Sequence, residues 1–301
     1  MNAKKTKKIV VLATGGTIAG LAADAAKPQN YTAGQVSVAD LLQGVAADGV
    51  ALLTEQVAQI DSKDMSFAVW QSLLARVAHW LEQDDVQGVV ITHGTDTLEE
   101  TAYFLQTVLQ PTKPVAITCA MLPANAPDSD GPGNLKDALA WVQTDGSHGV
   151  AVVCAGQVHA GQAVQKSHSH QRNPFTSQAG VTHPKAWRVP TVAQVLACTH
   201  WPRVELVLNH AGADGRVVRA LMANDAPQGW VVAGTGNGTL HQDLEAALLD
   251  AQKQGAQVLR ASRCSQGGVQ SREADVLLHA GGLTAVQARV ALLMHLMAQQ
   301  A

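Results

Sequence analysis

Short β-branched apolar runs alternate along this chain with stretches of helical periodicity, and that alternation constrains the fold most. "KKIVVLATGG", "QGVVITHGTDT", "KPVAITCAM", "HGVAVVCAGQV", "RVELVLNHAG", "GWVVAGTGNGT" and "AQVLRASRCSQGG" all have strand length, and most pass directly into glycines, hydroxyls or an acid. Between them, "TLEETAYFLQTVL" places Leu98, Ala102, Leu105 and Leu109 on one helical stripe, and Thr97 to Glu100 fits a capping box at its start. "HQDLEAALLDAQKQG", stopped by Gly255, and "TAVQARVALLMHLMAQQ" read as further amphipathic helices. Strands alternating with helices form parallel βαβ units in a layered α/β fold, and parallel strands covered on both faces are continuously apolar, as here. In such sheets ligands bind beyond the carboxyl ends of the strands, so the polar turns after the apolar runs are the candidate site.

The totals bound the function. The chain has 301 residues, 47% of them hydrophobic, 15% charged and 4% aromatic, with a net charge of −3. Two domains fit that length, and neither a basic surplus nor a base-stacking platform points to nucleic acid. Cys119, Cys154, Cys198 and Cys264 stand singly with no C-x-x-C pair, which reads as buried reduced thiols. The basic start "MNAKKTKK" precedes an apolar run too short for a signal-peptide core, and no run approaches the ~20 residues of a membrane span. A cytoplasmic protein without membrane partners is expected. Pro184, Pro190 and Pro202 interrupt the alternation, which suggests an N-terminal domain over 1–187, a linker over 188–203 and a C-terminal domain over 204–301.

Two turns carry the chemistry. In "ATGGTIAG", Gly15 and Gly20 fit the first and third glycines of a dinucleotide-binding turn, but Thr17 takes the place of the middle one. That glycine lets a pyrophosphate press on bare backbone, so Thr17 blocks the approach and offers an oxygen instead. In "THGTDT", Thr95 and Asp96 sit by a helix N-terminus, where backbone N–H groups bind anions. Thr95, Asp96 and Thr97 equally suit a helix cap, and Asp96 equally suits a substrate ammonium. Lys166, in "AVQKSHSHQRN", is by itself a surface lysine; beside Thr95 and Asp96 it becomes a proton partner for a hydroxyl. His93 reads as a packed histidine bonded to backbone rather than a general base. His168 and His170, spaced for one face of a strand, read as scattered polar residues rather than metal ligands.

"ATGGTIAG" and "ITHGTDTLEETAYFL" resemble the two signature segments of the bacterial L-asparaginases. "QNYT", "DSKDM", "DGPGNLKDA" and "GTGNGTL" resemble the same family in the same order, so the likeness covers nearly the whole chain. It implies a three-layer α/β fold, with a parallel or mixed sheet in a larger N-terminal domain and a smaller C-terminal α/β domain. It also implies a homotetramer built from pairs of intimate dimers, with active sites shared between subunits, and L-asparagine as the small-molecule substrate. No cofactor and no metal are implied.

Residue by residue, Thr17 matches the nucleophilic threonine, and Tyr31 the tyrosine of the loop that covers the site. Thr95, Asp96 and Lys166 match a second catalytic group. Ser62 and Asp96 match groups that hold the substrate's α-carboxylate and α-ammonium, with Thr95 also facing the substrate. Ala120 matches a residue whose backbone carbonyl meets the leaving amide, and Glu273 an acid reaching across from the partner subunit. Three places depart from the family pattern. Lys63 is a cation close to where a substrate ammonium would lie, so it must turn away or meet an acid. Thr239 replaces asparagine or serine. The segment "QSREAD" around Glu273 falls short of the usual spacing. The implied reaction is asparagine hydrolysis through a β-aspartyl ester on Thr17. The alternatives are a related amidohydrolase with glutaminase or another amide preference, and a non-catalytic amino-acid-binding relative.

Overall fold

The computed structural model describes residues 7–45, 49–181, 183–184 and 187–300. The chain divides into two compact units, 1–177 and 178–301. Both have the expected layered α/β architecture.

In the first unit the strands are β1 (Lys8–Gly15), β2 (Leu21–Ala22), β3 (Tyr31–Thr32), β4 (Ala51–Ile60), β5 (Val86–Thr92), β6 (Pro114–Thr118), β7 (Gly149–Cys154), β8 (Gln157–Ala160), β9 (Val164–Lys166) and β10 (Phe175–Ser177). The main sheet runs β4-β1-β5-β6-β7-β8 and is parallel except for β8, which turns back against β7. The helices are α1 (Val38–Leu41), α2 (Phe67–Leu81), α3 (Leu98–Leu109) and α4 (Gly131–Gln143). Leu135, Ala138, Leu139 and Val142 of α4 pack with Ile9, Val11, Val90 and Ala116 of the strands, a continuous apolar layer. In another layer Trp70 of α2 stacks on Phe104 of α3 at 4.8 Å and donates its indole N–H to Thr101.

Strand β4 is absent from the apolar pattern of the sequence, for a physical reason. It is an edge strand with no fully buried residue, and it interleaves Glu55, Gln56 and Gln59 with its apolar side chains. Glu55 is tied by Arg76 and by the indole of Trp80 at 3.0 Å.

In the second unit α5 (Val192–Ala197) precedes a parallel sheet ordered β11 (Val204–Leu208), β12 (Gly229–Gly234), β13 (Gln257–Ser262) and β14 (Leu278–His279). Trp230 and Val232 of β12 face α6 (Arg216–Asn224) and α7 (Gln242–Lys253). The bare edge of Gly229 abuts Leu292 and Leu296 of α8 (Ala285–Met297). Helix α8 departs from the amphipathic reading: nine of its thirteen residues are buried, so it lies enclosed rather than half-solvated. Among the described residues no helix is long and apolar enough to cross a membrane.

Two glycines of the first turn are dictated by close approach. Gly16, at φ 81°, leaves no room for a side chain: a Cβ there would lie 2.3 Å from the backbone nitrogen of Gly94 in the turn after β5. A Cβ on Gly20 would lie 2.8 Å from the ring of Tyr31. Gly16→Ala therefore combines a left-handed backbone cost with a clash against main chain, for a loss of about 3 kcal/mol or more. Urea unfolding checks this, and a loss below about 1 kcal/mol would contradict the close packing of the two turns.

Candidate active site

Four consecutive strands of the main sheet deliver the candidate residues at their carboxyl ends. β4 runs into the short 3-10 turn Ser62–Asp64, and β1 into another, Thr17–Ala19. β5 leads to Thr95 and Asp96, and β6 to Ala120. Lys166 ends β9. The parallel topology brings these residues, distant in sequence, to one edge.

Thr17 is nearly buried, and its Oγ1 lies 2.7 Å from Tyr31 Oη. Tyr31, on the small β2–β3 ribbon, is 37% exposed, so its ring covers the turn while one edge stays open to solvent. Lys166 Nζ donates to Thr95 Oγ1 at 2.8 Å and to Asp96 Oδ1 at 2.6 Å. The two-residue contact that spacing alone left open is thus present.

Ser62 is buried, and its hydroxyl oxygen accepts the backbone N–H of Asp96 at 3.2 Å. The expected capping box at Thr97 does not form. The Thr97 hydroxyl instead donates to the carbonyl of Ser62 at 2.8 Å, so the helix start is spent on joining two loops. Ala120 is fully buried beside Ile18 and Ala19.

Lys63 meets acids, one of the two outcomes its position requires. Nζ bonds Asp61 at 2.9 Å and Asp64 at 3.0 Å, and these partners, Asp61 first, raise its pKa. In the second unit Thr239 closes a tight turn on Thr235 through backbone and hydroxyl bonds. Glu273 is exposed in the segment between β13 and β14, which Asp275 anchors by accepting the Arg272 N–H at 2.9 Å and Arg260 at 2.7 Å.

The histidines and cysteines play no part in this constellation. His93 is fully buried, with Nδ1 2.7 Å from the Gly94 carbonyl and Nε2 3.0 Å from Thr101 Oγ1, and burial pushes its pKa down to about 4. The packed reading of His93 holds. His168 and His170 lie in irregular chain beyond β9, not on a strand: His168 Nδ1 accepts the backbone N–H groups of His170 and Gln171. Among the described residues no group of three or more His, Cys, Asp or Glu is placed to hold a metal. Cys119 and Cys154 are buried with sulfurs 3.7 Å apart, but Cys198 is half-buried and Cys264 exposed, so only two of the four thiols fit the buried reading.

Sequence reasoning passed over Glu99. It lies near the start of α3 and accepts the backbone N–H of Lys166; burial pushes its pKa up to about 8, the charge of Glu100 adds to that, and Lys166 pulls it back. Its Oε2 is buried without a hydrogen-bond partner. In the sequence it is one of two acids on a helix's first turn, which ordinarily face solvent, so only the tertiary fold reveals it.

Hydroxyls, an ammonium and a carboxylate at the edge of a parallel sheet are the equipment of a hydrolytic enzyme. A dinucleotide would need the space that Thr17 and Tyr31 fill. Residues 8–189 match the model of the asparaginase N-terminal domain, and residues 203–301 that of the glutaminase/asparaginase C-terminal domain. The chain is 36% identical to L-asparaginase 2 of Escherichia coli, covering 89% of this chain and 81% of that one. It is 34% identical to a glutaminase-asparaginase of Pseudomonas fluorescens, covering 90% and 79%. The crystal structure of a probable cytoplasmic L-asparaginase from Campylobacter jejuni superposes with a TM-score of 0.86 at 32% identity, covering 96% of this chain and 95% of that one. The chain belongs to the asparaginase family.

Glu99, half-buried with its Oε2 out of contact with solvent, gives a pH test. The unfolded carboxyl titrates near its ordinary value of 4.5 and the folded one near 8, so between these values the folded state holds the extra proton. Stability therefore falls as pH rises through that window. Glu99→Gln lacks this titration, so its melting temperature should gain on the wild type from about pH 5 to about pH 8 and keep a constant lead above. A difference that stays flat across the window would mean that Glu99 is ionised throughout.

Proposed function

We propose that the protein hydrolyses L-asparagine to L-aspartate and ammonia, with Thr17 as nucleophile. The observation that carries this is the pairing of two threonine hydroxyls with separate proton partners, Tyr31 on Thr17 and Lys166 with Asp96 on Thr95. An unactivated hydroxyl is a poor nucleophile and ammonia a poor leaving group, so amide hydrolysis needs a base at one and an acid at the other.

In this reading Thr17 Oγ1 attacks the side-chain carbonyl carbon, and its proton passes through the Tyr31 hydroxyl, whose own proton goes to solvent at its exposed edge and returns by the same route when the ester is cleaved. Backbone N–H groups around Thr95, at the positive end of α3, receive the developing oxyanion. The Lys166–Thr95 pair relays a proton to the departing nitrogen, whose N–H is held by the Ala120 carbonyl, and ammonia leaves. Water then enters, loses a proton to Thr95 and Lys166, and cleaves the β-aspartyl ester, restoring Thr17. Asp96 holds the substrate's α-ammonium, and the Ser62 turn its α-carboxylate. Lys63, already paired with Asp61 and Asp64, does not oppose that ammonium.

Glutamine is a secondary substrate, because relatives named for both amides are similarly close. The enzyme works in the cytoplasm as a homotetramer of intimate dimers, with Glu273 completing a partner's site. The segment 188–203 links an N-terminal domain carrying the threonines to a C-terminal domain beginning at 204.

Thr17→Ala removes the attacking oxygen and its one bond to the half-exposed Tyr31. Ammonia release from asparagine should fall by ~10⁴-fold or more with the melting temperature nearly unchanged. A variant retaining about a tenth of the wild-type rate would assign the nucleophile elsewhere.

A further inference from the structure

The backbone on both sides of Ala120 is gripped from the start of α4. Asp130 accepts the N–H of Met121 on both carboxylate oxygens, at 3.1 and 2.9 Å, and that of Leu122 at 2.9 Å. Asn134, one turn along, is buried. It donates to the Cys119 carbonyl at 2.9 Å and to Asp130 Oδ2 at 3.2 Å, lies 3.7 Å from Cys154 Sγ, and accepts the Ala155 N–H at 2.9 Å. Asp130 occupies the N-cap position of α4, yet its side chain makes no capping bond to that helix. A carboxylate that would ordinarily serve its own helix is turned toward the loop after β6.

The consequence for Ala120 follows from the peptide group. The Ala120 carbonyl and the Met121 N–H belong to one planar trans unit and point in opposite directions. Holding the N–H on Asp130 therefore aims the carbonyl away from α4. Asn134 fixes the preceding peptide through the Cys119 carbonyl, so the unit is held on both sides. A carboxylate accepting the N–H also polarises the peptide and makes its carbonyl oxygen a stronger acceptor.

We propose that Asp130 and Asn134 are positioning residues for amide release: together they set the direction and the acceptor strength of the Ala120 carbonyl, which holds an N–H of the departing nitrogen. This rests on the role given to Ala120 in the proposed hydrolysis and adds the groups that make that role possible. The loop alone would leave the carbonyl free to rotate with its peptide plane.

The test compares two substrates on one protein. Asparagine leaves through a nitrogen bearing N–H groups, whereas the β-methyl ester of aspartate leaves through an oxygen that has none for Ala120 to hold. For Asp130→Asn, kcat on asparagine should drop by about 30-fold, the scale of a lost charge-assisted bond, while kcat on the ester changes less than about threefold. KM for both should stay within about threefold of wild type. The amide-to-ester ratio within one preparation does not depend on the folded fraction, so partial misfolding leaves the readout intact. Asn134→Ser, which keeps the bonds of Asp130 to the Met121 and Leu122 N–H groups, should shift the ratio the same way by a smaller factor. Equal losses on amide and ester in both variants would overturn the positioning role and leave a structural one. Wild-type protein that cleaves the ester but not asparagine would overturn the asparagine reading itself, and this inference with it.

Discussion

The close approach of Gly16 to Gly94 is the contact on which the site depends. A single added carbon at Gly16 would fall 2.3 Å from the Gly94 nitrogen, and one at Gly94 would fall 2.4 Å from Ser62 Oγ. The loops after β1 and β5 therefore touch backbone to backbone, and the loop after β4 presses the Ser62 side chain against Gly94. Since those strands are neighbours in the sheet, the residue after each glycine, Thr17 and Thr95, is delivered to the same edge. Ser62 binds the arrangement through the Asp96 N–H and the Thr97 hydroxyl. Main chain and the buried Ser62 side chain thus fix where Thr17 and Thr95 stand, as the proposed chemistry requires.

Charge is distributed so that the cations of this edge are matched. Lys166 meets Asp96, and Lys63 meets Asp61 and Asp64. Glu99, beneath the Lys166 backbone, is held toward its neutral form by burial, so near neutral pH it adds little competing charge to the lysine. The fully buried His93 is engaged by backbone and by Thr101. In the proposed hydrolysis the hydroxyl groups serve as the reactive oxygens.

Much of this was legible in the sequence, because the central strands are buried on both faces and therefore uniformly apolar. The two threonine-bearing turns stood out by their glycines, which mark close backbone contact. Strand β4 was not legible: an edge strand carries Glu55 and Gln56 among its apolar residues and so lacks the continuous apolar run of the central strands. The enclosure of α8 and the partners of Thr97 were also hidden, since both depend on neighbours far along the chain. Asp130 and Asn134 sit in a recognisable segment, but their i, i+4 spacing says only that they share a helix face. What that face grips is a property of the folded loop after β6.

In the proposed hydrolysis Thr17, rather than Thr95 or a water molecule, attacks the amide. Rapid acid quench of the enzyme turning over asparagine, followed by peptide mass mapping, tests it most directly. The expected result is a transient gain of one aspartyl group on the peptide containing Thr17, absent in Thr17→Ala. The same adduct on the peptide containing Thr95, with Thr17 unmodified, would contradict the assignment of the nucleophile.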